Sequence, residues 1–236
     1  MNTRFNPTAN GYLHLGHLYL ALVNQHVAKR TGGKFIVQID DNQDHWRQMY
    51  GQTKINHFVS ELKRDLEWAG LEPSEYVIAS EEEETNKEYC LNLACLEMGP
   101  VASYPMANVN NWVTLYPFVP ELTALKVAQD YRNKIDIVIR GIDLLTEFSL
   151  YAYFCKMLKF PLPRHHYIPL FKLNDKPLSS NPMRGEISQK LKVRDYREKG
   201  WNNRELIELM EETCLIVRLG GWDFENIQFD PGLFEN

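Results

Sequence analysis

Two histidines separated by two residues give the strongest chemical signal in the sequence. His14 and His17 lie where a loop containing Pro7 and Asn10 leads into a helical pattern over residues 14–31. At a helix start, two imidazoles and the free backbone N–H groups converge on one spot, where the helix dipole favours negative charge. The pattern predicts a phosphate-binding site.

Taken alone, the two histidines also fit a second interpretation, two partly exposed polar residues. A metal site would need a third ligand, and the sequence offers no obvious one, so we predict no protein-bound metal. Gly16 has no side chain and would let a flat base or a backbone come close to the same spot.

The elements that must position these residues alternate between strand and helix, with short glycine-bearing turns. This order is typical of a parallel sheet covered on both faces, with ligands beyond the carboxyl ends of the strands. Ser80 and Glu83 have the spacing of a capping box. The predicted elements are a helix over 14–31, a strand over 34–39, a helix over 54–69, a helix from 81 to 98, a strand over 135–139, a helix over 143–158 and an extended segment over 167–173.

The composition is that of a soluble globular protein, with 44% hydrophobic and 24% charged residues among 236. The net charge of -5 gives no general electrostatic attraction to nucleic acid. The four cysteines form no metal-binding or disulfide pattern. With no signal pattern and no long apolar run, we expect a cytoplasmic protein that does not contact membranes.

Several segments, in order, resemble motifs of the class I glutamyl-tRNA synthetases. Residues 4–17 resemble R-F-x-P-S-P-T-G-x-L-H-I-G-H, which contains the family's HIGH motif. Five further segments are similar to G-G-K-F-I-L-R-I-E-D, L-E-W-L-G-L, V-I-R-G-E-D-L-L, H-L-P-L and Y-R-E-E-G, and they are residues 32–41, 66–71, 138–145, 167–170 and 195–200.

The resemblance covers residues 1 to about 215 and implies an α/β fold, the Rossmann-like catalytic domain of a class I aminoacyl-tRNA synthetase. It further implies a catalytic domain alone, without an anticodon-binding domain, related to the short glutamyl-queuosine tRNA synthetases. The expected divisions are a first half of the domain, a short insertion or lid, a second half and a helical C-terminal segment, at residues 1–98, 99–125, 126–185 and 186–236.

The resemblance implies ATP as a substrate, with Mg²⁺ neutralising the departing pyrophosphate. Residues before and within the first helix would hold the phosphates and adenine, Asp143 would accept from the ribose hydroxyls, and residues 168–170 would frame the base. The ATP-binding candidates are Thr8, His14, Gly16, His17, Asp143, Ile168 and Leu170.

An acidic amino acid is the second substrate that the resemblance implies. Arg4 and Arg140 would pair with its side-chain carboxylate, and Asp40 would bind its ammonium group. Arg140 could instead be a structural ion-pair partner, and Asp40 a helix cap or turn residue. For residues 165–166, two adjacent histidines, we predict a solvated turn.

The family's mobile K-L-S-K loop differs here, because the aligned residues 177–180 read Pro-Leu-Ser-Ser. Either Lys176 or Arg184 supplies the missing positive charge, or activation is slow or absent. The catalytic candidates are therefore His14, His17, Lys176, Ser179 and Ser180.

Two further differences concern the substrates. Leu122 and Lys126 align near a tyrosine and an asparagine that complete the family's glutamate pocket. Lys126, if it lines the amino acid site, suits an extra negative charge or a longer acid; it fits an exposed lid lysine equally well. The insertion over 99–125 is too short to hold a tRNA acceptor end as the family does.

The leading hypothesis is ATP-dependent activation of an acidic, glutamate-like amino acid as its aminoacyl-AMP. The shortened insertion favours transfer to a small-molecule or peptide amine. The alternatives are a tRNA-modifying enzyme of the glutamyl-queuosine type or a tRNA-charging enzyme, and a non-catalytic paralogue that binds the nucleotide or amino acid.

Overall fold

A parallel five-stranded sheet forms the centre of the fold. The computed structural model describes residues 1–86, 88, 119–168, 172–173, 176–177, 192–202 and 204–206. The strands of this sheet are β1 (Thr3–Phe5), β2 (Phe35–Ile39), β3 (Glu75–Ile78), β4 (Ile137–Gly141) and β5 (Arg164–Ile168). Their spatial order is β3-β2-β1-β4-β5, with every neighbouring pair parallel.

Six α-helices and a short hairpin complete the described elements that have full bounds. The helices are α1 (Leu15–Arg30), α2 (Asp44–Tyr50), α3 (Gln52–Trp68), α4 (Val119–Arg132), α5 (Phe148–Leu158) and α6 (Val193–Glu198). A 3-10 helix, Ile142–Glu147, links β4 to α5. Strands β6 (Lys172–Leu173) and β7 (Lys176–Pro177) pair antiparallel.

One face of the sheet is apolar and packs against α1 and α3. Phe5 on β1 and Val37 on β2 lie in one buried cluster with Leu62 and Leu66 of α3. Alternate side chains of a strand point to opposite faces, so the residues between them face the other way. The buried apolar surface on this side anchors α1, whose first turn carries the two histidines.

The opposite face of the sheet is more polar and lies under α4 and α5. Arg4 on β1 pairs in register with Val138 on β4, and Arg140 pairs with Tyr167 on β5. Helices α4 and α5 contact each other through a buried cluster that includes Val127. A central strand with a buried arginine needs a charge partner from these helices.

The predicted Rossmann-like parallel sheet is confirmed, and the main predicted helices and strands are present. Sequence patterns missed β1, β3 and α2, because their runs of three, four and seven residues are too short to show a period. None of the described helices is long and apolar enough to cross a membrane.

Helix α4 begins at Val119, within the segment over 99–125 that we predicted as a short insertion or lid. Two local predictions are wrong. The adjacent histidines at 165–166 lie within β5 rather than in a solvated turn. The Ser80 hydroxyl donates to Asp41 Oδ2 at 2.6 Å instead of capping, and the helical residues that follow begin at 83.

Helix α6 is held on α3 by buried charges. Arg197 Nη2 donates to Glu61 Oε2 at 2.6 Å, and Arg197 Nη1 lies 3.1 Å from Asp65 Oδ1. Neither carboxylate oxygen of Asp65 has a hydrogen-bond partner among the described residues, and Asp65 is fully buried. Burial raises the pKa of Asp65 to about 7, against the opposing charge of Arg197.

The Asp65→Asn variant should become more stable relative to the original protein as pH rises from 4 to 7. Because the folded-state pKa is above the ordinary value, the stability that Asp65 contributes is complete below about pH 4 and is lost through pH 7. We expect a difference of about 1–3 kcal/mol at neutral pH. Urea unfolding at several pH values measures it, and a constant difference across this range would contradict the assignment.

Candidate nucleotide and amino acid site

The start of α1 lies at the carboxyl edge of the sheet, where the order of strands reverses. Strand β1 lies between β2 and β4, and the loop after β1 leads to α1. In open parallel sheets this crevice is the usual ligand site. The first N–H groups of a helix have no intrahelical acceptor, so α1 presents donors at this edge.

His14 is the N-cap of α1, and the hydrogen bond that its side chain accepts determines which ring nitrogen carries the proton. The His14 Nδ1 atom accepts from the backbone N–H of His17 at 3.3 Å. An imidazole that accepts at Nδ1 carries its proton on Nε2 when neutral. His14 therefore keeps an Nε2–H donor for a ligand at the helix start.

The two imidazoles are stacked and neutral. Their ring centroids are 3.7 Å apart with an interplanar angle of 16°. Burial lowers the pKa of His14 well below its ordinary value, and the neighbouring His17 lowers it further. Burial lowers the pKa of His17 to about 4. Atom Nδ1 of His17 is buried without a hydrogen-bond partner among the described residues.

The chain returns to the helix start just before α6. The backbone of His14 forms an antiparallel bridge with Lys192, and the Val193 N–H donates to the Leu13 carbonyl at 2.9 Å. The Arg194 guanidinium lies over the Tyr12 ring at 3.9 Å. These contacts, together with the ion pairs between α6 and α3, fix residues 192–198 beside the two histidines.

Asp40 lies at the end of β2 beside the loop that follows β1. Its backbone bridges to Thr8, and its Oδ2 atom accepts from Gln43 Nε2 at 2.6 Å. The Lys126 ammonium of α4 lies 3.7 Å from the same oxygen. Lys126 is therefore a charge partner of Asp40, and both residues line a small polar cavity with Asn6.

Arg4 is held by a buried two-point ion pair. Its Nε and Nη2 atoms donate to the two carboxylate oxygens of Asp130 at 2.7 and 3.0 Å. The Tyr151 hydroxyl donates to Asp130 Oδ2 at 2.8 Å. Arg4 and Asp130 are 4% and 1% exposed, so the guanidinium is neutralised inside the fold.

Arg140 is also paired. Its Nη1 and Nη2 atoms donate to Glu147 Oε2 at 3.3 and 3.1 Å, and Nη2 also donates to the Leu144 carbonyl at 3.3 Å. Glu147 comes from the end of the 3-10 helix that follows β4. No sequence pattern indicates this pair beyond its seven-residue separation.

Comparison with protein families matches the first part of the chain. Residues 1–99 match the family model described as the catalytic domain of class I tRNA synthetases for E and Q. Glutamate–tRNA ligase 1 of Roseobacter denitrificans is 41% identical over 69 residues, which are 29% of this chain and 14% of that protein. Glutamate–tRNA ligase 1 of Petrotoga mobilis is 23% identical, over 98% of this chain and 58% of that protein.

Residues 1–99 are therefore similar to a class I tRNA synthetase catalytic domain, and the chain is similar in part to glutamate–tRNA ligases. It spans less than two thirds of the length of either relative.

Solved structures agree on the fold of this chain. A glutamate–tRNA ligase from Elizabethkingia meningosepticum, solved with its amino acid, has a TM-score of 0.57 and 17% identity, over 85% of this chain and 53% of that one. A tyrosyl-tRNA synthetase from Archaeoglobus fulgidus has a TM-score of 0.58 and 16% identity, over 76% and 58%. At this identity the likeness shows the fold alone.

The structure brings most of the candidate site residues to one region. Asp143 is exposed in the 3-10 helix after β4, and Ile168 is buried at the end of β5. The residues at or beside the carboxyl edge are Thr8, His14, Gly16, His17, Asp40, Arg140, Asp143 and Ile168. Lys126 reaches this edge from α4.

The remaining candidates are not placed by the structure. Leu170, Ser179 and Ser180 lie outside the described residues, and Lys176 is described only as part of β7. Within the described residues, no three His, Cys, Asp or Glu side chains are grouped as a metal site would require.

Sequence reasoning missed the carboxylates that neutralise the site. Asp130 lies on α4, 126 residues after Arg4 in the sequence. Glu147 lies at the end of the 3-10 helix, outside the motif over residues 138–145. A buried arginine on a central strand predicts that some carboxylate must reach it, but not which one.

The Asp130→Leu substitution should cost about 3–5 kcal/mol of unfolding free energy, because it leaves the Arg4 charge buried without a partner. The double substitution Arg4→Met with Asp130→Leu should cost less than the sum of the two single changes. Chemical denaturation of the four proteins measures this coupling. Strict additivity would show that the pair does not act as a unit.

Both site histidines should be neutral throughout the physiological pH range. An NMR titration that follows the imidazole signals should give a midpoint of about 4 for His17. A midpoint above 6 would show that the ring is not buried as described.

Proposed function

We propose that this protein activates a glutamate-like amino acid with ATP, forming an aminoacyl-AMP. The observation that supports the proposal is the set of hydrogen-bond donors at the start of α1. There the N-cap His14 keeps an Nε2–H donor, and the first backbone N–H groups of the helix lie at the carboxyl edge of the sheet. The homology to glutamate–tRNA ligases supports the same reaction class.

The reaction would be an in-line substitution at phosphorus. A carboxylate oxygen of the amino acid attacks the α-phosphorus of ATP, and the bond from this phosphorus to the pyrophosphate oxygen breaks. Positioning and preorganised donors supply the catalysis. Mg²⁺ bound with ATP would neutralise the leaving pyrophosphate.

Neutral histidines suit this role. His14 donates through Nε2 while its Nδ1 caps the helix, so the ring direction is fixed before the nucleotide arrives. The orphaned His17 Nδ1 is a second buried hydrogen-bonding atom at the start of α1. Asp143, exposed after β4, is available to accept from the ribose hydroxyls.

The amino acid would lie between Asp40 and the polar face of the sheet. Asp40 is the carboxylate for its ammonium group, and Lys126 must then move away from Asp40 or pair with the amino acid's carboxylate. Arg4 lies beneath this position. Because Arg4 is paired with Asp130, it would form part of the pocket wall and would not be available to bind a substrate carboxylate.

The acceptor of the activated amino acid is a separate proposal. The relatives are named as tRNA ligases, which favours tRNA, whereas the short insertion favours a small-molecule or peptide amine. Transfer of labelled amino acid to total tRNA distinguishes them. Robust labelling of tRNA would defeat the small-molecule acceptor.

A second candidate function is a non-catalytic protein that binds the nucleotide or the amino acid. Pro177 and Ser180 favour it, because they replace the two lysines of the resembled signature loop. Losing one preorganised donor of this kind costs on the order of 10²–10³ in rate. ATP binding without any activation would support this candidate.

Pyrophosphate exchange tests the activation step. With glutamate and glutamine as substrates, the double variant His14→Ala, His17→Ala should lose about 10²-fold or more of the exchange rate. His45→Ala, which removes an exposed histidine of α2, is the matched control and should keep the rate. Exchange in the original protein that is no faster than in the double variant would end the enzymatic proposal.

A further inference from the structure

Three cations near the proposed amino acid site, among the residues that the structure describes, are each paired with a carboxylate. Arg4 pairs with Asp130, Lys126 with Asp40 and Arg140 with Glu147, and these six residues are the only ones in the charge balance that follows. Three positive and three negative charges sum to zero. The pocket that the sequence predicted for a carboxylate side chain is already neutral.

Arg140 is the group most directly affected. Both of its terminal nitrogens are directed at the single oxygen Glu147 Oε2. Its Nε atom is buried and has no hydrogen-bond partner among the described residues. The Arg140 side chain is 5% exposed and that of Glu147 is 27% exposed, so an approaching ligand meets Glu147 before the guanidinium.

His165 adds an unsatisfied acceptor on the same face of the sheet. It pairs in register with Val138, two residues before Arg140, so His165 and Arg140 share that face. His165 Nδ1 lies 3.0 Å from the Pro163 carbonyl, which can only accept. Nδ1 is therefore the donor, and burial lowers the pKa of His165 to about 4, so Nε2 carries a bare lone pair.

Tyr167 is a further polar residue on the same face of the sheet. Its hydroxyl and His165 Nε2 are both buried without a hydrogen-bond partner among the described residues. The two rings lie 6.3 Å apart, and the Arg140 guanidinium lies 6.0 Å from the Tyr167 ring. Arg140 and Tyr167 interact, and His165 Nε2 is a buried acceptor without a hydrogen-bond partner among the described residues on the same face of the sheet.

We propose that Glu147 is a specificity-determining residue that makes this pocket prefer an amino acid with an uncharged carboxamide end group over one with a carboxylate. The inference rests on the proposed function, which assigns the amino acid to this face of the sheet. It revises the acidic side chain that the sequence predicted.

The physical reason is competition for Arg140. A substrate carboxylate must either displace Glu147 or sit beside it, and like charges brought together in a partly buried site repel strongly. A carboxamide brings no net charge. Its carbonyl can accept from an arginine and its N–H groups can donate to a bare imidazole nitrogen, so it offers both kinds of bond that the pocket lacks.

Calorimetric titration of the full chain with L-glutamine and with L-glutamate tests the proposal. The original protein should bind glutamine at least tenfold more tightly. Glu147→Gln keeps the shape of the side chain and removes its charge, so it should raise glutamate affinity about tenfold and shrink the preference. Glu72→Gln, an exposed carboxylate on the far side of α1, is the matched control and should leave the preference unchanged.

The outcomes separate the inference from the proposed function. Glutamate bound as tightly as glutamine by the original protein, or a preference that Glu147→Gln does not move, would overturn the role of Glu147 while leaving amino acid binding intact. A thermal melt confirms that Glu147→Gln is folded, and Glu147→Ala provides a second variant with the same expected direction. Binding of neither amino acid by the original protein would overturn the proposed function itself.

Discussion

Buried charge without a partner is too costly for a folded protein, and this constraint shapes the whole site. Arg4 occupies the central strand of the sheet, where it is 4% exposed, and Asp130 must reach it from α4. That requirement fixes α4 over the sheet and, through Tyr151, ties α5 to the same carboxylate. The ion pair between Arg4 and Asp130 therefore forms one wall of the proposed amino acid pocket.

The apolar face of the sheet positions the proposed nucleotide site. Apolar packing of α1 and α3 on β1 and β2 places the start of α1 at the reversal point of the strand order. Because His14 accepts a hydrogen bond at Nδ1 to cap the helix, its Nε2 atom remains as a donor. The proposed nucleotide and amino acid sites therefore lie on opposite faces of the same central strand and meet at its carboxyl end.

Sequence reasoning found the fold and the residues with strong local patterns. The alternation of strand and helix, including the helical period of residues 14–31 and the buried strand before Asp40, predicted a parallel sheet, and the sheet is confirmed. The ligand crevice stays a prediction. Short elements such as β1 have no detectable period. The polar pair at 165–166 indicated a turn, because the contacts of His165 with Phe148 and Tyr151 of α5 cannot be read from the sequence. Pairs such as Arg140 with Glu147 depend on how a 3-10 turn folds back, which no spacing rule encodes.

The most direct test of the account is a crystal structure of the protein with a non-hydrolysable ATP analogue. We predict that the phosphates of the analogue lie against His14 Nε2 and the first N–H groups of α1, and that the base lies toward the end of β5. Phosphates bound elsewhere, or a start of α1 filled by the protein's own side chains, would contradict it.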